Sequence, residues 1–170
     1  MTKRQHAVNK ESRRPARSPA GDALSLLVVQ VLRLGGLLTA VGDTLARPSG
    51  QSSARWQVLA AADHAPSTVA QIARALGLAR QSVQRVADVL EREGLVAYAD
   101  NPEHLRARLL VLAPRGRAAL AAIQDAQRVW ADELGAELGV ADLRRAAQVL
   151  GRVLDALGRR GRATDADADG

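Results

Sequence analysis

Hydrophobic positions recur at two periods along this chain, and the change of period divides it into parts. Between Asp22 and Leu45, the apolar residues Leu24, Leu27, Val28, Val31, Leu34, Leu38 and Val41 keep helical spacing. Asp22 is placed to cap the start of this helix, and Arg47-Pro48-Ser49-Gly50 to end it. The apolar stripe is wider than a surface helix in a small monomer needs, so it predicts a partner. Gly35 and Gly36 lie inside it at a cost of about 1–2 kcal/mol in helix propensity. Close backbone packing, a bend beside a ligand cavity and drift in composition each account for them.

A second helix is predicted over about 53–63, with Trp56, Leu59 and Ala60 at helical spacing. Thr68-Val69-Ala70-Gln71 then matches a capping box, in which the cap hydroxyl and an amide three residues later satisfy each other's backbone. Gly77 is placed to end this short helix in the left-handed conformation, and Gly94 to end the next one, over about 79–93. Two short helices separated by a glycine turn form a helix-turn-helix signature.

Beyond Gly94, Leu95-Val96-Ala97-Tyr98 and the run from Arg106 to Leu112 flank the polar stretch Asp100-Asn101-Pro102-Glu103-His104, which predicts a β-hairpin. Helical spacing returns at Pro114, passes Ile123, Trp130 and Leu134, and ends near 137. A last helix over about 141–157 carries Leu143, Ala146, Ala147, Leu150, Val153, Leu154 and Leu157 on one face. The expected fold is mainly α with a small β-hairpin wing: a winged helix-turn-helix with N- and C-terminal dimerisation helices. Its expected parts are a disordered basic arm (1–20), a dimerisation helix (21–50), a winged helix-turn-helix (51–113), C-terminal dimerisation helices (114–160) and a disordered acidic tail (161–170). Pairing the two end stripes across a two-fold axis would bury both, and would set two copies of the helix over 79–93 about 34 Å apart for a palindromic site.

Composition narrows the partner. Apolar residues are 47% of the 170, but aromatics only 2%, so the core must be aliphatic, which suits helices better than a β-sandwich. The net charge of +6 points to a polyanion. Most of that excess sits in the arm, where Lys3, Arg4, Lys10, Arg13, Arg14 and Arg17 face only Glu11. The case for nucleic acid therefore rests on where the remaining arginines fall. The absence of cysteine removes disulfides, thiolate metal sites and thiol redox sensing. The three histidines, at 6, 64 and 104, lack metal-ligand spacing. No cofactor or metal is expected. No glycine-rich phosphate loop or nucleophile with a neighbouring base is visible either, so the chain does not read as an enzyme. The apolar stretch from Leu24 to Val41 resembles an anchor, but Arg33 stands in its middle between Asp22 and Asp43. A cytoplasmic protein with no membrane partner is expected.

The helix over 79–93 carries the chemistry. Val83, Val86, Ala87 and Leu90 form its buried face and leave Arg80, Gln81, Gln84 and Arg85 outward, with Ser82 on the flank. Arg pairs bidentately with guanine O6 and N7, Gln with adenine N6 and N7, and Ser reaches phosphate. Solvated helix residues would look similar. However, no acid occurs between Ala79 and Ala87, while Asp88, Glu91 and Glu93 crowd the trailing half, opposite to the preference of the helix dipole. A phosphate backbone would reward that polarity. Arg106 and Arg108 are expected on one face of the second hairpin strand, opposite Ala107 and Leu109, with an Arg near the tip suited to a narrow minor groove. A charged edge strand that resists aggregation is the alternative.

Arg55-Trp56-Gln57-Val58-Leu59, Ile72-Ala73 through Gly77-Leu78, Ser82-Val83 through Leu90-Glu91, Glu93-Gly94-Leu95-Val96 and Leu110-Val111-Leu112-Ala113-Pro114-Arg115-Gly116 together resemble the MarR family of winged helix-turn-helix transcription regulators in order and spacing. The resemblance spans about 22–160. It implies a homodimer on double-stranded DNA, with a recognition helix in each major groove, a wing over about 95–112 in the minor groove, and Thr68 among the DNA-facing residues. It also implies a repressor released by a small phenolic or lipophilic effector, as in many members. A pocket for such an effector is expected between the first, second and fifth helices, near Gly35, Gly36, Trp56 and His64. The sequence departs from the family at the wing tip, where an Asp-Arg-Arg run is replaced by His104-Leu105-Arg106, and at Ala113, where a Thr cap is usual. A winged-helix module used for protein contacts without specific DNA binding is the rival reading.

Overall fold

The computed structural model describes residues 17–102, 104 and 106–168. Most of the proposed basic arm, the last two residues, and Glu103 and Leu105 of the wing tip lie outside the described residues. The chain forms two compact units, Met1–Val41 and Gly42–Gly170.

The first unit consists of most of helix α1 (Pro19–Ala46). This helix starts three residues before the expected Asp22, because Ser18 is its cap. The Ser18 hydroxyl accepts from the Gly21 amide at 3.1 Å, and the Asp22 amide donates to the Ser18 carbonyl at 3.0 Å. The helix is apolar on more sides than the predicted stripe. Leu26, Val29, Leu32 and Leu37 are exposed together with Leu24, Val28, Val31, Leu34 and Leu38. By length and composition, Pro19–Ser49 could cross a membrane. Arg33 stands half-way along it, and an arginine at the middle of a bilayer is costly.

In the second unit, the end of α1 docks on the start of α2 (Ser53–His64). Gly42 is required there, since a Cβ would lie 2.7 Å from Ser53 Oγ. Asp43 Oδ1 accepts from the Ser53 amide at 2.7 Å. Next come β1 (Ser67–Thr68), α3 (Val69–Leu76) and α4 (Arg80–Arg92). The chain continues through β2 (Val96–Ala99), β3 (Leu109–Leu112), α5 (Pro114–Leu138) and α6 (Val140–Ala168). The core is aliphatic: Leu59, Ile72, Leu90, Leu110 and Leu120 are fully buried, with Val58 and Val83 beside them. The capping box at Thr68 forms, and Gly77 and Gly94 adopt φ of 65° and 70° as their terminating roles require.

Three further features differ from the sequence reading. The sheet has three antiparallel strands in the order β1-β3-β2, with Thr68 opposite Leu109 and Val96 opposite Leu112. Strand β1 is two residues long, too short to leave a periodic signal. Strand β3 begins at Leu109, so Arg106 and Arg108 precede the ladder and do not share a strand face. A compact turn takes their place: the Asn101 side chain donates to the Ala107 carbonyl at 2.9 Å. The His104 amide donates to Asn101 O, and the Ala107 amide to His104 O. These bonds use polar groups that a longer ladder would have paired. Helix α6 runs to Ala168, past the expected end near 157, because the run from 158 to 168 contains no proline and its alanines, the strongest helix formers, offset the cost of Gly158 and Gly161.

Candidate nucleic-acid interface

Helix α4 enters the interface with an uncapped end. Ala79 provides no side-chain acceptor, and its carbonyl takes the amides of Ser82 and Val83 at 3.0 and 3.2 Å. The amides of Arg80 and Gln81 have no partner within the helix and are available to an anion. Val83, Ala87 and Leu90 are buried, whereas Arg80, Gln81 and Arg85 are exposed and Ser82 and Gln84 half-buried. Arg80, Gln81, Gln84 and Arg85 line one open cleft on this face. The cleft thus brings together four of the five residues singled out from the sequence; Ser82 lines a separate depression with Arg55 and Arg85, and its hydroxyl accepts from the Arg85 guanidinium at 3.4 Å.

The wing supplies the facing wall. A cleft of about 430 Å³ is bounded by Thr68, Val69 and Ala70, by Arg80, Gln84 and the acidic Glu91 of α4, and by Tyr98, Arg106, Ala107 and Arg108. Three arginines from two elements therefore border one depression. Arg106 is exposed in the turn before β3. Arg108 is anchored: its guanidinium lies over the Tyr98 ring, 5.4 Å from the centroid, and donates to the Tyr98 carbonyl. Thr68 borders the cleft, but its hydroxyl is committed to the cap. It accepts from the Gln71 amide at 3.2 Å and donates to Gln71 Oε1 at 2.9 Å. Its contribution is to hold the start of α3 in place.

Residues that sequence reasoning missed support this face. Gln84 Nε2 donates to Asp88 Oδ1 at 2.7 Å and to the Tyr98 hydroxyl at 2.8 Å. The Tyr98 pKa is raised above 10.0, chiefly by burial and further by the Asp88 and Glu91 carboxylates, against the lowering effect of the Gln84 hydrogen bond. At the far end of α4, Arg55 pairs bidentately with Glu93 at 2.8 and 3.0 Å, and Arg115 donates to the Glu93 carbonyl at 3.0 Å. Helices α2 and α5 are thereby fastened to the same turn. Tyr98 is the only tyrosine, which was a visible clue, but its pairing with a residue fourteen positions earlier was not.

The residues expected at an effector pocket are not among those that line these two clefts. Trp56 packs on the buried core, and His64 is exposed at the end of α2. A Cβ on Gly35 or Gly36 of α1 would meet nothing within 4 Å. Among the described residues, no group of three His, Asp or Glu side chains could hold a metal ion.

Comparison with known proteins decides the family. A family model described as "MarR family" matches residues 49–107, from the turn after α1 to the wing. The chain belongs to the MarR family. It is 39% identical over 136 residues to the Mycobacterium tuberculosis protein named Uncharacterized protein Rv2011c, covering 80% of this chain and 95% of that one. Among solved structures, the MarR family transcription regulator SP03579 is similar at a TM-score of 0.70 and 25% identity, over 81% of this chain and 94% of that one. The M. tuberculosis transcriptional regulator MosR, in complex with DNA, is similar at 0.63 and 27%, over 76% and 96%. This MarR-family chain is accordingly a DNA-binding transcription regulator with a winged-helix fold, in a family of regulators rather than enzymes.

Proposed function

We propose that this MarR-family protein is a homodimeric cytoplasmic repressor of a palindromic operator, with α4 of each protomer in a major groove and the wing over 95–112 in the adjoining minor groove. The observation that carries this reading is the shared face of α4 and the wing. Arg80, Gln81, Gln84 and Arg85 stand along the leading end of the helix, and Arg106 and Arg108 stand across the cleft. Arginine and glutamine side chains at an uncapped helix start combine base-edge donors and acceptors with backbone donors for phosphate.

The dimer is supported by unburied apolar surface. Leu24, Leu32, Leu37 and their neighbours on α1 are exposed, and so are Val129 and Leu138 on α5 and Leu154 and Leu157 on α6. Such a quantity of exposed aliphatic surface is a liability for a monomer and normal for a subunit of an obligate dimer. The proposed effector, carried over from the family resemblance, is a small phenolic or lipophilic molecule whose binding releases the operator.

Gel shifts of genomic fragments with the full chain, combined with light scattering, test the reading. Saturable, sequence-dependent binding by a species of twice the chain mass is expected. A concentration-independent monomer, or binding that ignores sequence at moderate salt, would overturn it and favour a protein-interaction module.

A further inference from the structure

One of the side chains on the reading face of α4 is not free to choose its hydrogen bonds. Gln84 Nε2 donates to both Asp88 Oδ1 and the Tyr98 hydroxyl, at 2.7 and 2.8 Å. The Tyr98 hydroxyl donates to the same carboxylate oxygen at 3.3 Å. An amide nitrogen has two hydrogens, so both are spent. The assignment of nitrogen and oxygen follows from chemistry: a carboxylate only accepts, so the amide atom facing Asp88 must be the nitrogen. The phenol places its single proton on Asp88 and accepts from Gln84. Its ring is pinned from the wing by Arg108, through the contact over its face and the bond to its carbonyl. With Nε2 held inward, Gln84 Oε1 is the polar atom left for a ligand, and Gln84 borders both clefts of the reading face.

Resting on the reading of α4 as the major-groove helix, we propose that Asp88 and Tyr98 are positioning residues that make Gln84 an acceptor-only reader, selecting an exocyclic amine of cytosine or adenine. Bidentate pairing with adenine requires one amide hydrogen for N7, and none is left. Recovering it would break a hydrogen bond to an ionised acceptor, stronger than the neutral bond gained. In the major groove, cytosine N4 and adenine N6 are the amine donors. Guanine and thymine present acceptors, which would leave Oε1 facing another lone pair. One position in each half-site therefore admits A and C and rejects G and T. This corrects the expectation that Gln84 pairs with adenine through two bonds.

The test is selection of bound duplexes from a randomised pool by the full chain, repeated with Gln84→Ala, Asp88→Ala and Asp88→Asn. For the unaltered protein, A and C should be preferred over G and T by about three- to tenfold at one half-site position, the worth of one net hydrogen bond. Gln84→Ala should erase that preference at that position alone. Asp88→Ala frees an amide hydrogen and should narrow the preference to adenine, whereas Asp88→Asn keeps an oxygen acceptor and should retain the A-or-C pattern. Alkaline titration of the lone tyrosine in the DNA-free protein checks the network itself. Asp88 helps hold the Tyr98 phenol protonated, so Asp88→Ala should lower its ionisation midpoint. If the midpoint falls but the base preference of Asp88→Ala is unchanged, the network exists without directing Gln84, and the proposal fails while the DNA-binding reading stands. Strict adenine selectivity in the unaltered protein would also overturn it. Absence of sequence-dependent binding by every variant would sink the DNA reading and this inference together.

Discussion

Gly116 is where the wing meets α5, and Gly116→Ala should destabilise the protein although alanine is the better helix former. Gly116 is buried at the third position of α5. A Cβ there would lie inside contact distance of the Leu95 carbonyl oxygen, 2.9 Å from the Leu95 carbonyl carbon and 3.1 Å from Leu112 Cδ2. The leucine tip could rotate away, but the carbonyl could not. Leu95 O accepts from the Ala113 amide at 3.1 Å, and the next residue, Val96, is paired with Leu112. Three contributions set the magnitude. Helix propensity favours alanine by at most about 1 kcal/mol. Overpacking costs about 1–3 kcal/mol. Loss or distortion of the Leu95–Ala113 bond costs about 1 kcal/mol more. The net expectation is a loss of about 1–3 kcal/mol, read as a lower urea midpoint at unchanged slope and fixed protein concentration, because a dimer's midpoint depends on concentration. Gly135→Ala on the same helix is the comparison: nothing in the same chain lies within 4 Å of its Cβ position, so it should be neutral or stabilising by up to about 1 kcal/mol within the protomer, with light scattering to check that the dimer is retained. A Gly116→Ala midpoint equal to or above that of the parent would refute the close-approach argument.

Other expectations can be checked separately. Arg55→Ala should cost about 1 kcal/mol or less, since the pair is bidentate but its side chains keep 25% and 41% exposure, and a double-mutant cycle with Glu93→Ala at low and high salt isolates it; a coupling near zero at low salt would remove the pair from the account. Tyr98 should ionise above 10.0 in the folded chain because burial disfavours the phenolate, so its contribution to stability is intact below about pH 10 and is lost as pH rises through the elevated value. Phenolate absorbance reads this directly from the single tyrosine, and a folded midpoint at or below that of the denatured chain would contradict it. Arg106→Ala should weaken operator binding by about 1–3 kcal/mol and reduce the salt slope by about one if the side chain reaches the minor groove; titrations at several salt concentrations that superimpose on the parent's would exclude that contact. Deleting residues 1–16 should also flatten the salt slope, because the arm carries much of the positive charge; an unchanged slope would exclude the arm from the interface.

The chain order of helices, the capping box at Thr68, the turns at Gly77 and Gly94 and the outward set from Arg80 to Arg85 were legible in the sequence, because each depends on neighbours within one or two helical turns. The aliphatic stripes on α1 and α6 were legible for the same reason, since periodicity is local. The two-residue strand β1, the position of Arg106 and Arg108 ahead of β3, and the need for glycine at 116 were not. They arise where segments distant in sequence meet: Thr68 against Leu109, Asn101 against Ala107, Gly116 against the Leu95 carbonyl. The same limit applied at the reading face. Helical spacing and side-chain chemistry pointed to Gln84 as a base reader, but only the approach of the wing brought Tyr98 to it, and only that meeting commits its Nε2. A side chain's type is written in the sequence, whereas its remaining donors and acceptors are what tertiary contacts leave unused.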